Sequence, residues 1–301
     1  MTIRIASRLS RVQPSVTMAV TAKAAELRAA GRDVISFGAG EPDFETPDYI
    51  MSAVREALDR GVGKYTNVRG TVELRTAIAA ELGEAHSIEL GIDQILVSCG
   101  AKHSLFNACL AMFEPGDEVL IPAPYWVSYP AMVKLSGADP VIVKASAEEG
   151  YTLRASDVAA AITDRTRAII LNNPSNPTGA VYSRQRLEEL ATLLDERGLV
   201  VISDDIYRSL TYGDAEYHSL ARLRPNLVDR TLFIDGGFAE MADNHLTVLT
   251  EAAMRPEELD GEAVEQALGE ARALPIPDDA AFGERQRALT RARVQRKLLP
   301  K

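Results

Sequence analysis

The stretch Asn172–Tyr212, NNPSNPTGAVYSRQRLEELATLLDERGLVVISDDIYRSLTY, decides the fold. It follows an apolar run, Ala168 to Leu171, of the kind that forms a parallel strand buried on both faces. The Asn, Pro, Ser and Gly of the next segment read as a structured turn. Ser183 then opens a helix as its N-cap, with Leu187, Leu190, Leu193 and Leu194 on the apolar face and Gly198 at the C′ position. A second apolar run, Leu199 to Ile202, is another buried strand and stops at Asp204 and Asp205. The unit is strand, helix, strand, with polar side chains at the carboxyl ends of both strands. That edge is where open α/β sheets bind ligands.

Outward from this unit the alternation continues. Ile95–Ser98, Glu118–Ile121 and residues 140–143 read as strands, and residues 99–113, 127–136 and 155–162 as helices. Strands and helices alternating from about 95 to 204 predict an α/β, doubly wound, mostly parallel sheet. Before it come an Ala-rich helical arm over 16–30, a short strand at Val34–Phe37, and helices near 47–60 and 71–86. The turn Gly100-Ala101-Lys102 places free backbone N–H groups at a helix N-terminus, a physical anion site. Such a turn also occurs where no ligand binds, and Lys102 reads equally as an exposed first-turn lysine. Asp204, taken alone, also reads as a capping group, Trp126 as a core residue, and Tyr65 as a surface anchor in a Gly-flanked loop.

The chain has 301 residues, with 33 Lys and Arg against 43 Asp and Glu, a net charge of −10. The acidic balance argues against a nucleic-acid partner. No apolar run reaches the roughly 18 residues that a membrane span needs, so no membrane insertion is expected. The N-terminus is broken by Arg and Pro and lacks a signal peptide's apolar core. The two cysteines, Cys99 and Cys109, suggest no disulfide framework, and the expected compartment is the cytoplasm.

The NPTG loop, the helix and the S-D-D-I-Y step, at their spacing, resemble the class I, fold-type I aminotransferases that use pyridoxal 5′-phosphate, the aspartate aminotransferase group. The resemblance implies an incomplete fold-type I large domain over residues 1–235. It implies amino-group transfer between an amino acid and a 2-oxo acid, and a homodimer. By resemblance, Asn176 and Tyr207 hydrogen-bond the 3′-oxygen of the cofactor ring and Asp204 pairs with the ring nitrogen. Trp126 stacks on the ring, Gly100, Ala101 and Lys102 hold the phosphate, and Tyr65 reaches the phosphate of the neighbouring subunit. Gly40, Trp126 and Asn176 lie against the substrate. The cofactor is an electron sink only while its ring nitrogen stays protonated, so a buried carboxylate suits that position. The family also has cis peptide bonds at the positions of Ala123-Pro124 and Asn176-Pro177.

The family pattern runs to about Asp235, in DRTLFIDG. A class I enzyme continues there with the lysine that holds the cofactor covalently, then an arginine that helps bind the phosphate. Here the chain reads GGFAEMADN, and the only later lysines are Lys297 and Lys301. The arginine that clamps the substrate carboxylate is also expected to be missing. The expectation is an impaired or inactive transaminase, with non-covalent cofactor binding or a non-catalytic binding module as the alternative. Residues 236–301, beginning GGFAEMADNHLTVLTEAA, resemble the C-terminal part of the ATP synthase epsilon subunit, with two short strands and a helical hairpin. That resemblance implies a chimeric chain with a rotor-associated tail. A solvated charged helical tail is the alternative, since acidic residues crowd 251–270 and basic residues 284–301.

Overall fold

The computed structural model describes residues 4–36, 45–61, 63–236, 241–242, 245–246 and 266. The chain divides into two units, one of residues 1–44 and 63–247 and the other of residues 45–62 and 248–301. In the second unit the described residues form helix α2, Asp48–Asp59, which carries an acidic residue in its first turn.

The first unit is built on five parallel strands: β1 (Glu118–Ala123), β2 (Asp139–Lys144), β3 (Thr166–Asn172), β4 (Val200–Asp204) and β5 (Thr231–Ile234). Their order is β2-β1-β3-β4-β5. The period-two alternation of strand side chains splits the core cleanly. Leu120, Ile169, Leu171 and Val201 point to one face, against α6 (Ala155–Ala161) and α7 (Arg184–Glu196). Val119, Ile121, Ala168, Ile170 and Ile202 point to the other, against α4 (Ala101–Met112) and α5 (Tyr129–Ser136). Helices therefore cover both faces, as the sequence predicts for a doubly wound sheet. Each fully buried Leu or Ile contributes about 2 kcal/mol by removal of apolar surface from water.

Helix α7 forms as its sequence dictates. The Ser183 side chain accepts from the Arg186 N–H, and Gly198 takes φ 64° after the last turn. Leu187, Leu190, Ala191 and Leu194 are buried, so Ala191 joins the face in place of Leu193, which is only partly covered. Helices α1 (Val16–Ala29) and α3 (Val72–His86) start at Ser15 and Thr71, whose side chains accept from the third residue beyond.

Two predicted strands are not found among the described residues. Ile95–Ser98 is extended but pairs with no described strand, and the Val97 N–H donates instead to Arg69 O at 3.1 Å. Val34–Ser36 likewise lies outside any described ladder, and Phe37 falls outside the described residues. An apolar, β-prone run gives the backbone a preference, but a strand exists only where a second strand meets its N–H and C=O groups. Beyond β5, β6 (Met241–Ala242) and β7 (His245–Leu246) pair antiparallel. The rest of the expected hairpin, apart from Gln266, lies outside the described residues. Among the described residues no helix is long and apolar enough to cross a membrane.

The chain places β2 on one side of β1 and then returns to place β3 on the other. This reversal is a topological switch point, where the carboxyl ends of neighbouring strands part and leave a crevice.

Candidate functional site

A cleft opens at that switch point, lined in part by Pro124, Tyr125, Tyr129, Asn172, Ser175 and Asn176. The loop after β3 is tied to the end of β4 by Asn172, which stands opposite Asp204 in the ladder. Its Nδ2 donates to Asp204 O at 2.8 Å, and its Oδ1 accepts from the Asn176 N–H at 2.6 Å. The loop closes on itself through Ser175 N to Ala180 O at 2.9 Å and Gly179 N to Ser175 O at 2.7 Å, with Gly179 at φ 69°. Ala123-Pro124 and Asn176-Pro177 are cis, as expected, and Asn173-Pro174 is a third cis bond. The Asn176 Nδ2 lies 3.5 Å from the Tyr207 hydroxyl, at the long limit of a hydrogen bond.

Asp204 is 3 % exposed. Its Oδ2 accepts from the Tyr129 hydroxyl at 2.5 Å, while its Oδ1 is buried with no partner among the described residues. Burial is the largest influence on this carboxyl and pushes it up to about 6; the Tyr129 hydroxyl and the Ile206 N–H pull it down, and Asp235 pushes it up. Burial, then the Asp204 charge, raises the Tyr129 phenol well above its ordinary range, so it stays a proton donor.

Tyr129 also carries the cleft to its aromatic wall. Trp126 meets it edge to face, with centroids 5.3 Å apart. The Lys102 ammonium lies 4.9 Å from the Trp126 centroid. Lys102 is exposed in the first turn of α4, which Gly100 opens at φ 79°. The N–H groups of Ala101 and Lys102 precede the first intrahelical donor, so they belong to the orphan set of a helix start. A Cβ on Gly236 would lie 3.0 Å from the Ala101 Cβ, so the end of β5 packs against this turn. Cys99, exposed, precedes the turn, and its N–H donates to His103 Nδ1 at 3.2 Å. Cys109, farther along α4, is fully buried, and burial pushes its thiol up to about 12.

Contacts thus link Asn176, Tyr207, Asp204, Trp126 and the Gly100-Ala101-Lys102 turn, and connect Asn176 and Asp204 through Asn172 on one side of the sheet end. Tyr65 does not join them; it is fully exposed. Gly40 lies outside the described residues. Sequence reading missed Asn172 and Tyr129. The signal for Tyr129 was its place three residues after Trp126 in PAPYWVSYP, where it reads only as a helix start.

The arrangement fits a phosphorylated pyridine. A buried carboxylate oxygen without a partner suits a protonated ring nitrogen, the Trp126 ring suits a flat face, and the α4 turn suits a phosphate.

Residues 32–239 match the family Aminotransferase class I and II. The chain is 49% identical over 233 residues to a probable aspartate/prephenate aminotransferase of Rhizobium leguminosarum bv. phaseoli, covering 77% of this chain and 58% of that protein. It is 44% identical to an aspartate aminotransferase of Bacillus sp. strain YM-2, covering 77% and 59%. Among solved structures, it resembles the aspartate aminotransferase of Rhizobium meliloti, with TM-score 0.74 and 40% identity over 76% of this chain and 58% of that one. The Thermus thermophilus aspartate aminotransferase with maleate gives TM-score 0.73 and 41% identity over 77% and 60%. The chain spans less than two thirds of the length of these relatives.

Proposed function

Because this chain belongs to the class I and II aminotransferase family, we propose that it binds pyridoxal 5′-phosphate at the carboxyl end of the β1–β5 sheet. The observation that carries the reading is Asp204, buried at the sheet end with one carboxylate oxygen held by Tyr129 and the other without a partner. When bound, the cofactor supplies an electron sink that stabilises negative charge at a substrate α-carbon. Asp204 would hold the proton on the ring nitrogen, with Tyr129 fixing its orientation. Asn176 and Tyr207 would hydrogen-bond the ring's 3′-oxygen. The N–H groups of Ala101 and Lys102 would take the phosphate, and Trp126 would cover one ring face and exclude water from it. Tyr65, exposed in its own subunit, is free to meet the phosphate of a second copy in a homodimer.

The reaction class by descent is amino-group transfer between an amino acid and a 2-oxo acid. The names of the relatives point to a dicarboxylic substrate of the aspartate or prephenate kind. Residues 236–244, GGFAEMADN, contain no lysine. Covalent capture of the cofactor and proton shuttling at the α-carbon both need an amine there, so we propose non-covalent binding and impaired turnover. The rotor-associated reading of residues 236–301 rests on their sequence alone. It predicts that this segment, expressed as part of the full chain, binds an ATP synthase rotor; failure to do so leaves the solvated tail.

The test is a titration of the full chain with pyridoxamine 5′-phosphate, followed through the emission of Trp126, the chain's single tryptophan. Saturable quenching that Asp204→Asn weakens at least tenfold is expected. Separately, borohydride reduction after pyridoxal 5′-phosphate is expected to label no single lysine, and aspartate with 2-oxoglutarate to give negligible turnover. A single labelled lysine in the cleft, together with turnover, overturns the proposal of impaired activity.

A further inference from the structure

Three carboxylates crowd the end of the sheet where Asp204 stands. Asp204 ends β4 opposite Ile234, Asp205 follows it and donates its N–H to Ile234 O at 2.9 Å, and Asp235 follows Ile234 on the neighbouring strand. Asp204 and Asp205 are buried, 3 % and 1 % exposed, and Asp235 is partly buried with its side chain 7 % exposed. The Asp235 charge acts on both of the others.

One cation is bonded to this cluster among the described residues. Arg208 Nε donates to Asp235 Oδ2, and its Nη2 donates to Glu81, which α3 presents at its exposed side. Arg208 is also fixed by its backbone, since its N–H donates to Asp205 O at 2.8 Å. Two residues after Ile206 and one after Tyr207, it grows from the same turn that aims Asp204 and Tyr207. Three further titratable groups among the described residues stand against the cluster in their neutral forms: His86, Tyr129 and Tyr217. Burial, then the Arg222 charge, lowers the His86 imidazole to about 4, and its Nε2 stands 3.9 Å from Asp235 Oδ2. The phenols of Tyr129 and Tyr217 are raised far from ionisation, first by burial.

We infer that Arg208 is a positioning residue for Asp204: by pairing with Asp235 it cancels the carboxylate charge that would oppose the charge Asp204 must carry. The geometry gives a division of labour. Tyr129 orients Asp204 through a hydrogen bond, and the Arg208–Asp235 pair sets the field in which it ionises. A neighbouring carboxylate charge raises a carboxyl, as Asp235 does Asp204 beside the larger effect of burial, so pairing Asp235 with Arg208 favours the ionised form of Asp204. The inference rests on the reading that Asp204 faces a pyridine nitrogen, and it can fail independently of that reading.

The test uses the full chain with 13C-labelled aspartate, read by NMR without any cofactor. Arg208→Gln is expected to move the Asp204 titration upward by about one pH unit, and Asp235→Asn to move it downward by a similar amount. The double variant returns it close to the parent, and Arg208→Lys retains most of the parent value. An Asp204 titration unchanged in folded Arg208→Gln and Asp235→Asn overturns the inference, and Asp235→Asn alone decides if Arg208→Gln does not fold. A second arm measures pyridoxine 5′-phosphate affinity against pH. Its pH midpoint is expected to follow the Asp204 titration across the four variants. If the titration moves and the affinity does not, Arg208 tunes Asp204 but Asp204 does not hold the ring, and the functional reading falls instead.

Discussion

Tyr129 and Asp204, 75 positions apart in the chain, meet with the phenol hydroxyl 2.5 Å from the carboxylate Oδ2. The contact joins the first turn of α5 to the last residue of β4 across the cleft. It satisfies one oxygen of a buried carboxylate, while the other has no partner among the described residues.

Tyr129→Phe removes that donor and leaves the Asp204 carboxylate wholly without a side-chain partner. The cost is about 1–3 kcal/mol of unfolding free energy at neutral pH, read by urea denaturation. Because the Tyr129 hydrogen bond lowers the Asp204 carboxyl, its loss shifts that titration upward. An unchanged midpoint in urea would mean that water replaces the phenol.

Stability depends on pH through Asp204 in an unusual direction. The folded carboxyl titrates near 6 against 3.8 for an unperturbed one, chiefly through burial. The folded state therefore binds more protons between those values, and its contribution is fully present below 3.8 and lost as pH rises through about 6. Relative to Asp204→Asn, the parent chain is expected to lose about 3 kcal/mol across that window. Denaturation of the two proteins in parallel at pH 4, 5, 6 and 7 checks it; curves that stay parallel contradict it.

His86 acts in the opposite sense. Its imidazole is lowered from 6.5 to about 4 by burial and by Arg222, with Nδ1 2.8 Å from Ser219 Oγ. A depressed histidine contributes stability above its unfolded value and loses it as pH falls through the folded one. Compared with His86→Gln, the parent is expected to lose about 3 kcal/mol between pH 6.5 and 4. Burial also raises the Asp205 and Asp235 carboxyls, so the parent's own profile mixes several effects and only the variants isolate these two.

Ser183→Ala removes the side-chain acceptor from the Arg186 N–H at the start of α7. The expected loss is about 1 kcal/mol, with helix α7 still formed because its apolar face is buried. Thermal unfolding by circular dichroism reads both the loss and the retained helix content.

The parts of this domain legible in sequence were those that signal locally. Strands β3 and β4 lie buried on both faces, so Ala168–Leu171 and Leu199–Ile202 announce themselves as unbroken apolar runs, and Ser183 and Gly198 mark the ends of the helix between them. Ile95–Ser98 carries the same apolar signal and is not a strand, because pairing belongs to two segments and the sequence shows only one. Asp204, Asn176 and Tyr207 were found through a long spaced pattern. Tyr129, Asn172 and Arg208 were not, since each acts through a partner that is distant in sequence or reached only by the loop's own closure. The charge cluster was invisible for the same reason: Asp235 is unremarkable until β5 sets it beside Asp204 and Asp205.

The two free thiols of helix α4 and its approach differ in their access to solvent. Cys109 is sealed and held protonated, while Cys99 is exposed one residue before the turn that heads the cleft. The chain therefore has a built-in attachment point for a reporter, with no engineered cysteine required. A maleimide dye or spin label would enter at Cys99 alone in the native protein, and Cys109 would react only after unfolding. One reagent would then yield two readings: solvent access beside the turn that opens α4 at early times, and the rate of global opening at late ones.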